Sequence, residues 1–247
     1  MRQPIHFIPI LTTLFAVYFG WMVWKRYRER RTGPHLAWWA AGIFIYGVGT
    51  LTEASVTLFG WSPVLFRSWY ISGALLGGAP LAQGTVYLLF SRKTANRMTA
   101  VVVPYIIIAS LFVLLTPINY ELVESHRLTG AVMEWSWVRL FSPWINMYAL
   151  IFLVGGAAMS AWRFGRNPET VSRAWGNTLI AVGALSPAIG GTATRMGHTE
   201  VLYVAELIGL LLIWAGYLAN VRDTAAKAPV APTAPAAAVS TAAAAGD

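Results

Sequence analysis

The sequence predicts an all-α integral membrane protein, a bundle of seven transmembrane helices with its N-terminus outside and its C-terminus in the cytoplasm. Three observations support this prediction. Of 247 residues, 57% are hydrophobic and only 11% are charged, whereas about a quarter of a soluble domain is charged. The apolar residues fall into seven runs, and the basic residues gather in alternate connections between them.

The seven apolar runs cover residues 5–24, 36–60, 67–90, 99–117, 140–162, 174–194 and 201–220. Each is close to the roughly 20 residues that cross a bilayer as a helix. The first run is too long for the core of a signal peptide, lacks a small-residue cleavage site and ends in basic residues from Lys25, so a retained helix is predicted. The Ala/Pro-rich end predicts a membrane domain at 1–223 and a disordered cytoplasmic tail at 224–247.

The distribution of lysine and arginine predicts the orientation. Of the 18 basic residues, 13 fall in the tail or in connections predicted to be cytoplasmic, and the external side keeps Arg2, Arg67, Arg127, Arg139 and Arg195. This asymmetry follows the positive-inside rule. It also explains the net charge of +8 without nucleic acid. We therefore expect a multi-pass protein of the bacterial inner membrane, with the lipid bilayer as its first partner.

Two carboxylates fall within predicted spans, Glu53 in the second and Glu206 in the seventh, both in the outer half. A carboxylate in hydrocarbon is costly and normally faces other helices or a water-filled cavity. Helical spacing places Tyr46, Gly49 and Thr50 on the face of Glu53, a small and polar stripe. Both acids are therefore predicted to point into the bundle.

Other polar residues are predicted at the same outer level. A stripe of small residues on the sixth helix ends at Arg195, and Arg67 begins the third helix. Trp144 and Asn146 lie at the start of the fifth. The predicted ligand-binding set of an outward-facing polar pocket is Glu53, Arg67, Trp144, Asn146, Arg195 and Glu206. The alternative is structural, since the acids would equally be satisfied by pairing with Arg67, Arg195 or tyrosine hydroxyls.

The residues and motifs that several kinds of metal, cofactor and catalytic site require are missing from this sequence. There are no cysteines, and the four histidines show no metal or haem arrangement. The seventh predicted helix has no lysine for a retinal Schiff base. Hydrolase, zinc-protease and P-loop motifs are also missing from the sequence. We therefore predict no metal, no cofactor and no catalytic residues.

Loose motifs in the chain suggest a family. Basic residues from Lys25 to Arg31 follow the first predicted helix, and the second helix runs from Trp38-Trp39 to Gly47 and ends in Thr52-Glu53. In the third helix, the segment from Trp69 to Gly73 leads to Pro80. A long loop predicted to be external contains Gly130 and Trp137. This pattern resembles the N-terminal seven-helix sensor region of some bacterial membrane histidine kinases and diguanylate cyclases, over about residues 5–221. The resemblance implies a bundle that detects an external or membrane-dissolved signal, with Glu53 facing inward. Kinase members continue into signalling domains, so we expect this chain to act through a membrane or cytoplasmic partner protein.

Three functions follow as hypotheses. The first is a membrane sensor or accessory subunit that binds a ligand in the outward-facing pocket. The second is a small-solute or proton-coupled transporter, which the Gly/Pro-interrupted third and sixth helices favour. The third is a structural subunit of a larger membrane complex or a homo-oligomer, since the Gly73 and Gly77 spacing permits close helix contact.

Overall fold

The computed structural model describes residues 4–30, 33–124 and 127–226, except the side chains at 195 and 224–226. The described residues form helices and turns, with two isolated bridges in the external loop and no strand that belongs to a sheet. The all-α prediction is therefore confirmed for this part of the chain. The predicted tail from residue 227 onward lies outside the described residues.

The described residues form nine α-helices: α1 (Ile8–Arg30), α2 (Pro34–Phe59), α3 (Pro63–Trp69), α4 (Ala79–Leu89), α5 (Arg92–Leu115), α6 (Phe141–Ala149), α7 (Gly156–Gly165), α8 (Val171–Arg195) and α9 (Thr199–Ala226). A π-helical segment, Tyr70–Leu75, continues α3, and a second, Leu150–Gly155, joins α6 to α7. Helix α2 lies between Gly33 and Gly60, whose φ angles of 82° and 88° suit glycine. Helix α9 extends three residues past the predicted boundary at 223.

Five described helical stretches are long and apolar enough to cross a membrane: Pro4–Arg30, Pro34–Phe59, Arg92–Leu115, Ser136–Gly165 and Thr199–Asp223. The predicted third and sixth spans are not among them. The third is interrupted in its middle, and α8 is rich in Gly, Ala, Ser and Thr, which lowers its apolar character. The structure thus supports a multi-pass membrane protein.

The interruption of the third stretch depends on small residues. After the π-helical segment the chain leaves helical geometry at Leu76–Gly78, and α4 begins with Pro80 in its first turn. A β-carbon at Gly77 would lie 2.5 Å from the carbonyl oxygen of Gly73, and one at Gly78 would lie 2.7 Å from the Ala149 methyl group. Larger residues therefore do not fit here, because the broken helix lies directly against itself and α6.

Helices α8 and α9 are in close backbone contact, which glycines permit. A β-carbon at Gly183 would lie 2.5 Å from the Gly209 carbonyl oxygen, and one at Gly209 would lie 2.6 Å from the Gly183 carbonyl oxygen. Gly176 and Gly216 form a second close contact of the same kind, seven residues from Gly183 on α8 and seven residues from Gly209 on α9. Small residues let the two helix backbones approach closely, and the resulting van der Waals attraction stabilises helix packing in lipid. The two helices therefore form one wall of the bundle.

The long loop between α5 and α6, predicted to be external, is folded onto the adjacent end of the bundle. Val132 and Val138 are fully buried in one apolar cluster with Phe66 of α3 and Val113 of α5. Backbone bonds from Asn119 to Val132 (2.8 Å) and from Glu134 to Pro117 (3.1 Å) close the loop on itself. It therefore fixes the outer ends of α3 and α5.

Candidate functional site

A cavity of about 480 Å³ lies in the half of the bundle that the sequence predicts to be outer. Helices α2, α6, α8 and α9, the two π-helical segments and the broken turn at Leu76–Gly78 surround it. This volume falls within the range typical of small-molecule sites. Most of its lining is apolar or glycine, and the polar side chains that line it are Tyr46, Thr50, Glu53, Trp69, Asn146, Thr192 and Glu206. We call it the outer cavity.

Glu53 reaches the outer cavity from α2. It lies six residues before the end of that helix, which is about 9 Å along the axis. Its side chain is 3% exposed, and Trp69 donates its indole N–H to Oε1 at 2.9 Å. Thr50 and Tyr46, one and two turns earlier, line the same cavity as predicted from helical spacing. The inward orientation predicted for Glu53 is therefore what the structure has.

Glu206 reaches the same cavity from α9, seven residues into that helix, so its depth matches that of Glu53. Both carboxyl groups line this cavity at the same depth, so they lie close enough to affect each other electrostatically. Tyr46 joins the two helices, because its hydroxyl donates to the Glu206 main-chain carbonyl at 3.0 Å. We call Glu53 and Glu206 the acid pair.

The acid pair lacks a cationic partner in the described part of the chain. None of the residues that line the outer cavity is basic, and no ion pair among the described side chains involves either glutamate. The Oε2 atoms of both residues are buried without a hydrogen-bond donor among those residues. Two ionised carboxylates close together in a poorly solvated site repel each other strongly. With no cation among the described side chains, a proton or a bound cation would relieve this repulsion.

Of the other predicted site residues, some line the outer cavity and some lie away from it. Asn146 lines the outer cavity from α6. Arg67 points elsewhere and donates to the Thr116 carbonyl at 2.9 Å, so it ties α3 to the end of α5. Trp144 does not line this cavity and is 71% exposed. The side chain of Arg195 lies outside the described residues. The structure thus brings Glu53, Glu206 and Asn146 together and places Arg67 and Trp144 away from them.

Sequence reasoning did not include Trp69 or the broken turn in the site. Trp69 was noted only as part of a motif, because an indole that hydrogen-bonds a buried acid looks like any interfacial tryptophan in a sequence. The glycines at 73, 77 and 78 were noted as a helix interruption but not as cavity wall. Their spacing before Pro80 was the available signal, since unwound backbone at membrane depth occurs where it lines a cavity or packs against protein.

A second cavity, of about 460 Å³, lies at the other end of the bundle. Four apolar residues line both cavities and separate them: Ile43, Leu81, Leu153 and Ile213. The second cavity is lined by Arg26, Arg30, His35 and Arg173 on the side predicted to be cytoplasmic. We call it the inner cavity and the four shared residues the apolar layer.

Compared with protein-family models, with curated proteins and with solved structures, the chain matches none. The resemblance to seven-helix sensor regions therefore stays a prediction that rests on its motifs.

Proposed function

We propose that this protein is a seven-span membrane receptor that binds a small organic cation, such as an amine or a quaternary ammonium compound, from the outer side. The observation that carries the proposal is the acid pair, two carboxyl groups whose Oε2 atoms are buried at one cavity, with no cationic side chain among the described residues that line it. A bound cation would supply the missing charge, and protons would neutralise the pair in its absence. This role deepens the sensor function predicted from the sequence.

The outer cavity suits such a ligand in size and surface. Its predominantly apolar lining would receive the hydrocarbon part of an organic cation. The Trp69 indole, held by its bond to Glu53, offers an aromatic ring beside the charge, an arrangement that favours ammonium groups. The proposed topology includes the third and sixth stretches as crossings, because both line the cavity between helices that are themselves long enough to span.

Calorimetric titration of the purified protein in detergent tests this proposal. The probes are small amines and quaternary ammonium compounds, each paired with a neutral alcohol of the same shape. Glu53→Gln and Glu206→Gln should each weaken cation binding by about tenfold or more, since a hydrogen bond to a charged group contributes ~1.5–3 kcal/mol. Binding should also weaken as the pH is lowered, because protons compete for the same carboxylates.

Glu121→Gln is the matched control, because it removes one carboxylate from an exposed position in the external loop. Its cation affinity should equal that of the unaltered protein. Equal affinity for the cations and their neutral analogues would contradict the proposal, and so would an equal loss in Glu121→Gln.

A transporter is the second candidate, and the stacking of the two cavities favours it. Only the apolar layer separates them, and the broken turn of the third stretch lies beside that layer, as in transporters with discontinuous helices. Proteoliposomes with an acidic interior and a labelled amine outside would distinguish the candidates. Uptake that Glu53→Gln abolishes would support exchange of cation for protons, whereas binding without uptake would support the receptor.

A further inference from the structure

The inner cavity carries the opposite charge from the outer one. Its charged lining residues are Arg26, Arg30 and Arg173, with His35 beside them, and no acidic residue lines it within the described ranges. The arginines come from two different parts of the chain, the end of α1 and the start of α8. Their convergence on one cavity is therefore a property of the fold.

These arginines are only partly neutralised. Arg173 forms an ion pair with Asp223 of α9. Neither Arg26 nor Arg30 has an ion-pair partner among the residues that the structure describes, and the neighbouring Glu29 is engaged by Lys25 at 3.9 Å. The cavity therefore keeps an excess of positive charge. Guanidinium groups have the planar donor geometry that suits phosphate.

A buried hydroxyl group in the inner cavity supports the binding of a ligand there. Tyr217 lines the inner cavity, is 8% exposed, and has a hydroxyl without a hydrogen-bond partner in the described part of the chain. Arg26 and Arg30 line the same cavity. Buried polar groups in native proteins are nearly always bonded, so an unpartnered hydroxyl beside a cationic cavity points to an acceptor that a ligand brings.

Most of the remaining lining of the inner cavity is apolar, and its further polar residues are Thr85, Ser160, Asn177 and Asn220. Its walls include Leu36, Trp39, Leu88, Leu89 and Phe164. A free phosphate ion would leave these walls without contacts, whereas a lipid would cover them with an acyl chain. We propose that the inner cavity binds an anionic phospholipid, whose headgroup phosphate is held by Arg26 and Arg30 and whose acyl chain lies along the apolar walls. Basic pockets between helices on the cytoplasmic side bind anionic lipid headgroups in this way.

Native mass spectrometry in a neutral detergent, with phosphatidylglycerol titrated into the full chain, tests this site. The double variant Arg26→Gln/Arg30→Gln should weaken phosphatidylglycerol binding by about tenfold to thirtyfold, from the attraction that each basic residue adds. Tyr217→Phe should weaken it by about threefold or more while removing no charge. Phosphatidylcholine should bind weakly to all variants.

The matched control is Arg92→Gln/Arg97→Gln, which removes two exposed arginines from α5, also on the predicted cytoplasmic side and outside the inner cavity. It should bind phosphatidylglycerol as the unaltered protein does. Equal affinity in the two double variants would overturn the proposal, as would displacement of the lipid by millimolar inorganic phosphate. If Arg26→Gln/Arg30→Gln does not fold, as judged by its elution from a sizing column, the Tyr217→Phe result decides.

Discussion

The two cavities are alike in volume, about 480 and 460 Å³, and opposite in charge. The outer one holds two acids, the inner one three arginines, and only the apolar layer of Ile43, Leu81, Leu153 and Ile213 lies between them. Opposite charges in a medium of low dielectric attract strongly, and direct pairing would satisfy both sets. Among the described residues the acids and the arginines do not serve as each other's counter-charges, which supports the two binding sites proposed above.

The largest expected effect comes from the wall that the two cavities share. Gly183→Ala/Gly209→Ala places a methyl group against a backbone carbonyl on each helix, so we expect a loss of about 3 kcal/mol or more in stability. Because α8 and α9 line both cavities, binding of cation and of phosphatidylglycerol should fall together. Thermal melting in detergent measures the first and the titrations described above measure the second.

The control for this change is Gly155→Ala/Gly165→Ala. A β-carbon at either glycine would have its nearest contact at 3.7 Å, and neither residue lines the outer or the inner cavity. These alanines should leave the melting temperature and both affinities nearly unchanged. Retention of either affinity alone in the Gly183/Gly209 variant would show that the two cavities do not depend on a common wall.

A smaller effect is expected from Trp69, whose indole N–H donates to the Glu53 carboxyl group. Trp69→Phe keeps an aromatic ring but removes the N–H that Glu53 accepts, which should cost about 1–3 kcal/mol of stability. In a Glu53→Leu background the same change should cost much less, because the acceptor is gone. A double-mutant cycle from thermal or denaturant unfolding gives the coupling free energy.

Trp144→Phe is the control for Trp69→Phe, since the Trp144 side chain is 71% exposed. It should change stability by less than ~0.5 kcal/mol and leave cation binding unaltered. A loss of cation affinity in Trp144→Phe would place that residue back in the site predicted from the sequence.

The smallest expected effect tests how the charge near the inner cavity changes its affinity for phosphatidylglycerol. Asp223→Asn removes the carboxylate that neutralises Arg173, so phosphatidylglycerol affinity should rise about fivefold, the effect of one extra charge near the membrane surface. Cation binding in the outer cavity should not change. Glu29→Gln, which removes a carboxylate from the pair with exposed Lys25, should produce a smaller rise. An unchanged or lower lipid affinity in Asp223→Asn would count against the electrostatic account.

The predicted and observed sites differ in an instructive way. Glu53 and Glu206 were predictable because an acid in an apolar run has only one inexpensive orientation, towards other helices. Arg67 was grouped with them by its depth alone, yet its guanidinium donates to the end of α5. Depth along a helix follows from counting residues, whereas direction around the helix and the choice of partner depend on neighbours far away in the chain.

The fold shows the same division. The apolar runs located the helices with ends that differ from the observed ones by up to seven residues, since a stretch of hydrocarbon length is marked by composition alone. The break at Leu76–Gly78 and the two π-helical segments were not placed, because they depend on contacts such as that between Gly78 and Ala149. Helix α8, the predicted sixth span, falls short of the apolar character of the five span candidates.

The sequence by itself determined that the chain is helical and apolar enough for several membrane crossings, and that two of its acids must be turned away from lipid. Solvent preference causes both, and each residue carries that preference wherever it lies. Only the tertiary structure decided that these acids meet each other without a described cation and that the arginines gather in a separate cavity. Those outcomes depend on which helix faces pack together. Each glycine at the close contacts of α8 and α9 matters only because a glycine of the other helix lies against it.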